Sequence, residues 1–316
     1  MNIAVFDIGT NSIHMLVAKI QPGRTFKILE REKDTTRLGD GSFEERRLRK
    51  ASMRRALSVI EQFHLMSKKY RIKKSIGVAT SAVRDAKNGK LFIKEVYRRT
   101  GIRIRIISGD EEGRLIELAA RSNMDVEGKK TLVVDIGGGS MELIAGDGKK
   151  HHFLESFPLG VARLTDHFLR KDPPSSKQMK RLEKYIEKTL EVPARKIRKY
   201  EVSLVIGTAG TLINLGSMAF ESEYARPLKI THHHVLKNKQ LEKLHGQIAP
   251  LSLREKLNFP GLDSKRADII LAGSILVRTL MRLLRIEEII LSKRGIREGI
   301  ILDFIAKNRR SLSRRS

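Results

Sequence analysis

The sequence predicts an α/β protein built from two related lobes, and three observations carry that expectation. At 316 residues the chain is long for a single hydrophobic core. Short β-type apolar runs alternate along it with runs of helical period. Residues 4–17, AVFDIGTNSIHMLV, are echoed without a gap by residues 132–145, LVVDIGGGSMELIA. Asp7 matches Asp135, Gly9 matches Gly137, Ser12 matches Ser140 and Leu16 matches Ile144. Two copies of a strand–glycine turn–strand unit point to two lobes of common design facing one ligand.

The totals narrow the class. Hydrophobic residues at 40%, in a mixed helix and strand pattern, indicate a globular protein. With no cysteine there is neither a disulfide framework nor a thiolate metal site, so a cytoplasmic setting is expected. No basic segment precedes the first apolar run, and Asp7 interrupts that run, which argues against a signal peptide. No apolar stretch approaches the roughly 18 residues of a membrane span. Lys and Arg number 63 against 36 Asp and Glu, a formal charge of +27 that attracts polyanions from a distance. Nucleic acid, inorganic polyphosphate and a highly phosphorylated nucleotide all answer to that field. Aromatics at 5% with no Trp leave few stacking platforms for single-stranded nucleic acid. Part of the charge also serves to solvate the surface, as in thermophile proteins.

Residues 2–32 read as a three-strand meander over 3–7, 13–18 and 26–31, followed by a loop at 37–41. Leu48, Ala51, Ala56, Ile60 and Phe63 recur at helical spacing, an ordinary amphipathic helix over 48–66. A strand at 75–78 leads into Ala79-Thr80-Ser81, with Arg84 at the start of a helix. Ser81 suits a helix cap, and the hydroxyls with Arg84 equally suit phosphate oxygens. A strand at 102–106 precedes Ser108-Gly109-Asp110-Glu111-Glu112. Ser108 as an N-cap with acids in the first turn is sound helix electrostatics, and carboxylates just past a strand end also offer a general base.

Residues 121–130 are polar, include Gly128-Lys129-Lys130, and mark the crossing between lobes. The first lobe is expected over 1–125, rejoined by a C-terminal helix of about 297–316, and the second over 126–296. In the second, Gly137, Gly138, Gly139 and Ser140 follow Asp135 in a hairpin. Such glycines let the backbone approach a ligand and aim several N–H groups at one point, which suits phosphate. An acid beside that point repels phosphate unless it holds a metal ion or orients water. The stretch therefore reads as a metal-assisted phosphate site. A strand at 153–157 and a helix marked by Met179, Leu182, Ile186 and Leu190, with a heavily basic outer face, follow. The strand at 203–206 feeds Gly207-Thr208-Ala209-Gly210-Thr211, a turn that presents N–H groups at a helix start but lacks a P-loop lysine. His232, His233 and His234, shortly after Ile230, alternate faces if they lie in a strand and are read as surface. A helix at 268–284 and a strand at 287–291 precede SKRGIREG (292–299), then a helix to about 305 and a basic tail (KNRRSLSRRS), a candidate polyanion tether.

Taken in order, DIGTNSIHMLV, ATSAVRDA, ISGDEEGRLI, DIGGGSMEL, FPLGVARL, GTAGT and GIREG resemble the exopolyphosphatase and guanosine pentaphosphate phosphohydrolase (Ppx/GppA) family over nearly the whole chain. The resemblance implies two ribonuclease H-like lobes of the actin, sugar kinase and heat-shock chaperone ATPase superfamily, with an active-site cleft between them. It also implies a short, two-domain form without the helical C-terminal domain of longer members. It places the catalytic base at Glu112 and the divalent cation, Mg²⁺ or Mn²⁺, near Asp7, Asp135 and Glu142. Phosphates fall to Asn11, Ser12, Arg84, Gly137–Ser140 and Gly207–Thr211. Met141 stands where the family has Thr, and Gly113 where it often has Ala.

The expected reaction is release of orthophosphate from the end of inorganic polyphosphate. Guanosine pentaphosphate is the alternative substrate, with a second copy of the chain as a partner and neither a specific nucleic acid nor a membrane involved. An ATP-using kinase or chaperone of the same superfamily, and a non-enzymatic polyanion or nucleic-acid binder, are the competing classes.

Overall fold

The structure, a computed structural model, describes residues 1–226 and 233–308. It divides into two units, Met1–Ala119 with the segment from Arg294 onward, and Ala120–Lys293.

The first unit opens with β1 (Asn2–Ile8), β2 (Ile13–Ile20) and β3 (Phe26–Asp34), paired antiparallel. Helix α1 (Lys50–Lys68) returns the chain to β4 (Lys74–Ala79), parallel to β1. Then come α2 (Ser81–Asp85), α3 (Gly89–Thr100), β5 (Ile104–Ile106) and α4 (Gly109–Arg121). The sheet order is β3-β2-β1-β4-β5. Strand β1 is apolar over residues 3–6 because both its faces are covered. Ala4, Phe6 and Ile8 face a core containing Ile60 of α1 and Phe92 of α3. Ile3 and Val5 face a second core with Leu115 of α4 and Ile300, Ile301 and Ile305 near the C-terminus.

The second unit repeats the plan with β6 (Thr131–Ile136), β7 (Met141–Gly146), β8 (His151–Phe157), α5 (Val161–Phe168), α6 (Ser176–Lys199), β9 (Leu204–Thr208) and α7 (Ala209–Tyr224). After β10 (Val235–Lys237), α8 (Asn238–Ile248), α9 (Leu253–Lys256) and α10 (Ile270–Leu284), β11 (Glu288–Leu291) completes the sheet. The order is β10-β11-β9-β6-β7-β8. Read from the meander edge, both sheets run third, second, first, fourth, fifth strand, the ribonuclease H-like order, with β10 an added edge in the second. Helix α6 turns Leu182, Ile186, Leu190 and Ile197 inward, and a Ser175–Gln178 capping box fixes its start. The chain ends its described course in α11 (Ile296–Lys307), which packs in the first unit.

Several local expectations change. Ser81 is not the cap of α2. Thr80 holds that position, because its N–H still donates to Ile8 on the sheet at 3.2 Å and the helix starts only beyond it. Arg84 consequently lies in the last turn of α2, not at its start. GIREG lies within the first turn of α11 rather than ahead of it. His233 has φ 75° in a turn before β10, so the alternation of strand faces does not apply to it. His234 instead packs edge-on against Phe220. Ile230, His232 and the tail from residue 309 lie outside the described residues. Helices α3, α5 and α8 were not anticipated, since each buries only two or three side chains among many charges. Among the described residues no helix is long and apolar enough to cross a membrane.

Two glycines make opposite demands on space. A Cβ on Gly299 of α11 would stand 1.9 Å from the Leu115 carbonyl of α4, whereas one on Gly246 of α8 meets nothing within 4 Å. Gly299→Ala is expected to destabilise the protein by about 3 kcal/mol through overpacking, and Gly246→Ala to stabilise it by about 0.5–1 kcal/mol through helix propensity. Urea unfolding of both variants checks the pair; equal stabilities would contradict the tight α4–α11 approach.

Candidate active site

The two repeats fold into the same turn. The Gly9 N–H donates to Ser12 O at 3.1 Å, and the Gly137 N–H to Ser140 O at 3.0 Å. In both, neighbouring backbone takes up the turn's carbonyls. Gly39 and Arg37 donate their N–H groups to Thr10 O and Asn11 O, each at 2.9 Å. Val161 and Ala162, in the first turn of α5, donate to Gly137 O at 3.0 Å and Gly138 O at 2.9 Å. The Arg163 side chain adds a bond to Gly139 O at 2.8 Å. Among the described residues, no partner is recorded for the N–H groups of Thr10, Asn11, Ser12, Gly138, Gly139 or Ser140. A turn whose carbonyls are bonded and whose amides are not is an anion cradle. Asn11 Nδ2 and Ser12 Oγ are buried there without partners, although buried polar groups are almost always bonded.

A third such point lies where β9 meets α7. Gly207 and Thr208 belong to the strand, and Gly210 and Thr211 to the first helical turn. Ala209 joins them at φ 68°, a left-handed conformation costly for a residue with a Cβ. Thr211 Oγ1 is buried and unbonded. The Arg266 guanidinium covers Gly210 so closely that a Cβ would fall 1.9 Å from Nη2. A partly buried cation, 3.7 Å from an Asp263 oxygen, thus adds to the positive end of α7.

Glu112 sits in the first turn of α4, behind Ser108, whose Oγ accepts the Glu111 N–H at 3.1 Å. It is buried, and Arg84 Nη1 donates to its Oε2 at 2.9 Å and to Ile107 O at 3.1 Å. Arg84, expected to face phosphate, therefore holds the expected base. The capping reading of ISGDEE is realised at this helix start, and Glu112 is held there by Arg84.

The acids of the two repeats differ in company. Asp135 and Glu142 lie opposite one another on β6 and β7, and the Ser156 hydroxyl donates to Glu142 Oε1 at 2.7 Å. At the matching rung of the first unit Asp7 faces His14, whose Nδ1 lies 2.8 Å from Arg297 Nη1. Burial pushes the Asp7 carboxyl up to about 6; nearby Arg297 opposes this and Glu298 reinforces it. Among the described residues no three His, Asp or Glu side chains form a cage for a cation. Of the expected set, Asp7 belongs to the first unit, with His14 and Arg297 beside it, and Asp135 and Glu142 to the second. The Asp135–Glu142 pair alone supplies two hard oxygen donors, which fits Mg²⁺ or Mn²⁺ completing its shell with water and phosphate.

The profile of the Ppx/GppA phosphatase family matches residues 16–308. The chain belongs to this family. With it, the chain is a phosphoanhydride hydrolase. It is 27% identical over 303 residues to exopolyphosphatase 1 of Mycobacterium tuberculosis, covering 96% of this chain and 88% of that protein. The crystal structure of an exopolyphosphatase from Cytophaga hutchinsonii superposes with a TM-score of 0.90 at 26% identity, covering 97% and 98% of the two chains. The Ppx/GppA family member of Aquifex aeolicus does so with a TM-score of 0.79 at 28% identity, covering 98% of each.

In this phosphatase the residue-level reading overlooked four groups. Arg163 and Arg266 reach the second and third turns from segments for which no element was expected. Glu298, fully buried on α11, accepts from Arg31 at 2.6 Å and from the Gly295 N–H at 3.0 Å, and Arg297 beside it reaches His14. A signal for Glu298 was present: GIREG (295–299) repeats the G-x-x-E-G spacing of GDEEG (109–113), so Glu298 matches Glu112 and each carries an arginine.

Because the folded carboxyl of Asp7 titrates near 6, above its ordinary 3.8, folding favours its protonated form. Its contribution is complete at low pH and is lost as pH rises through about 6. In the presence of chelator, Asp7→Asn is expected to raise stability at pH 8 by on the order of 2 kcal/mol and to change it little at pH 4. Urea unfolding at the two pH values checks this, and equal gains at both would assign the effect to something other than charge burial.

Proposed function

We propose that this phosphatase is an exopolyphosphatase that removes the terminal phosphate of inorganic polyphosphate by attack of water. The observation that carries the reading is the pair of turns whose carbonyls are bonded and whose amides are not, each next to a buried carboxylate. Backbone N–H groups of 10–12 and 138–140 bind phosphate oxygens, and Asn11, Ser12 and Thr211 find in them the partners they otherwise lack. Glu112 accepts a proton from water as the water oxygen bonds to the terminal phosphorus. The bridging P–O bond breaks in line, and its electrons leave on the shortened chain. Arg84 fixes the Glu112 carboxylate in the orientation this requires. Asp135 and Glu142 would hold a divalent cation, Mg²⁺ or Mn²⁺, whose charge offsets that of the phosphate when bound. The names of the relatives and the charge of +27 favour a long polyanion over guanosine pentaphosphate.

Orthophosphate release from polyphosphate with Mg²⁺ tests this directly. Glu112→Gln keeps the size of the side chain and removes the base, so kcat is expected to fall about 100-fold or more. Undiminished turnover would remove Glu112 from the mechanism. A higher kcat/KM for guanosine pentaphosphate than for polyphosphate would reassign the substrate.

A further inference from the structure

Helix α6 carries nine Lys or Arg and three Glu; two of the Glu are drawn off the basic face, and the third, Glu191, stays exposed within it. Glu183 and Glu187 turn toward α10, where both accept from Arg282, and Glu191 pairs with Arg195. Lys177, Arg181, Lys184, Lys188, Arg195 and Lys199 recur at spacings of four, three, four, seven and four, all exposed. That spacing puts them on one stripe opposite the buried Leu182, Ile186, Leu190 and Ile197. At ~1.5 Å per residue the stripe runs roughly 33 Å. Apart from Arg195, none of these six has an ion-pair or hydrogen-bond partner among the described residues.

A face that only solvates mixes its signs, as α3 does where Glu95 bonds both Arg98 and Arg99. On α6, Lys177/Arg181, Lys184/Lys188 and Arg195/Lys199 instead place like charges four apart, where each pair works against the helix. The stripe also follows in the chain from an element that touches a cradle. Helix α5, whose Arg163 is bonded to Gly139, leads into α6 past exposed Arg170 and Lys171.

We propose that this stripe is a binding track for the part of a polyphosphate chain that lies beyond the cradles, an inference that rests on the reading of the protein as an exopolyphosphatase. Flexible lysines suit it, since each ammonium meets any phosphate of a uniform chain as a point charge. The stripe offers no aromatic for a base to stack on, and Tyr185 on the same helix is tilted against Phe168.

The test is a quadruple variant, Lys177→Gln with Arg181→Gln, Lys184→Gln and Lys188→Gln, all far from the buried face. KM is measured for chains of several hundred phosphates and for tripolyphosphate, across a range of KCl. The variant is expected to raise KM for the long chain about tenfold, to leave tripolyphosphate within about twofold, and to flatten the salt dependence of the long-chain KM. An unchanged long-chain KM would overturn the track, as would an equal loss on both substrates. Tighter binding of single-stranded RNA than of polyphosphate of equal charge, lost in the variant, would overturn it in favour of nucleic acid. If the wild type turns over neither substrate, the functional reading fails instead. Anisotropy of fluorescently labelled polyphosphate, wild type against variant, then judges the stripe by itself, since equal affinities refute it and a loss supports it.

Discussion

Everything that makes the two glycine turns useful depends on what holds their carbonyls. A short turn exposes oxygens as readily as N–H groups, and an exposed oxygen repels phosphate. In the first unit the 37–39 loop caps the turn, and in the second the first turn of α5 does so. The close approach this needs accounts for two glycines. Gly39 leaves room for the Thr10 methyl, and Gly160 lies against the Gly138–Gly139 backbone, where a Cβ would fall about 2.2 Å from main-chain atoms. That the turn presents amides and not carbonyls is thus set partly by residues outside it.

The duplicated scaffold has diverged at the rung that matters. Asp135 faces a carboxylate, and Asp7 faces a histidine held by arginine. Two acids side by side suit a cation, whereas Asp7 already has the Arg297 guanidinium in its field. One topology, used twice, thus carries two different electrostatic settings at the same rung.

Much of this was legible in the chain because it is written in local pattern. The gapless DIG repeat announced twin lobes, and the turn geometry it encodes recurs in both sheets. Three acids on a capped helix start were visible, and the family resemblance singled out Glu112 among them. What stayed hidden is made of long-range geometry. Arg84 reaching Glu112, Arg266 covering Gly210 and Arg297 reaching His14 join residues 28, 56 and 283 positions apart. No periodicity marks one arginine among so many as the one that turns inward. Short helices such as α5 were missed for another reason, since eight residues span too few turns for a helical period to repeat.

The placement of α11 has a consequence for how the protein is made. Ile300, Ile301 and Ile305 complete the second core beneath Ile3 and Val5, although nearly three hundred residues separate them in the chain. Synthesis runs from the N-terminus at roughly 5–20 residues per second. The second unit is a continuous segment that is finished before α11 is translated, while one face of β1 waits with only part of its cover, that of α4, in place. The first unit to be started is therefore the last to be closed, and its exposed apolar strand is the surface a chaperone would meet on the ribosome.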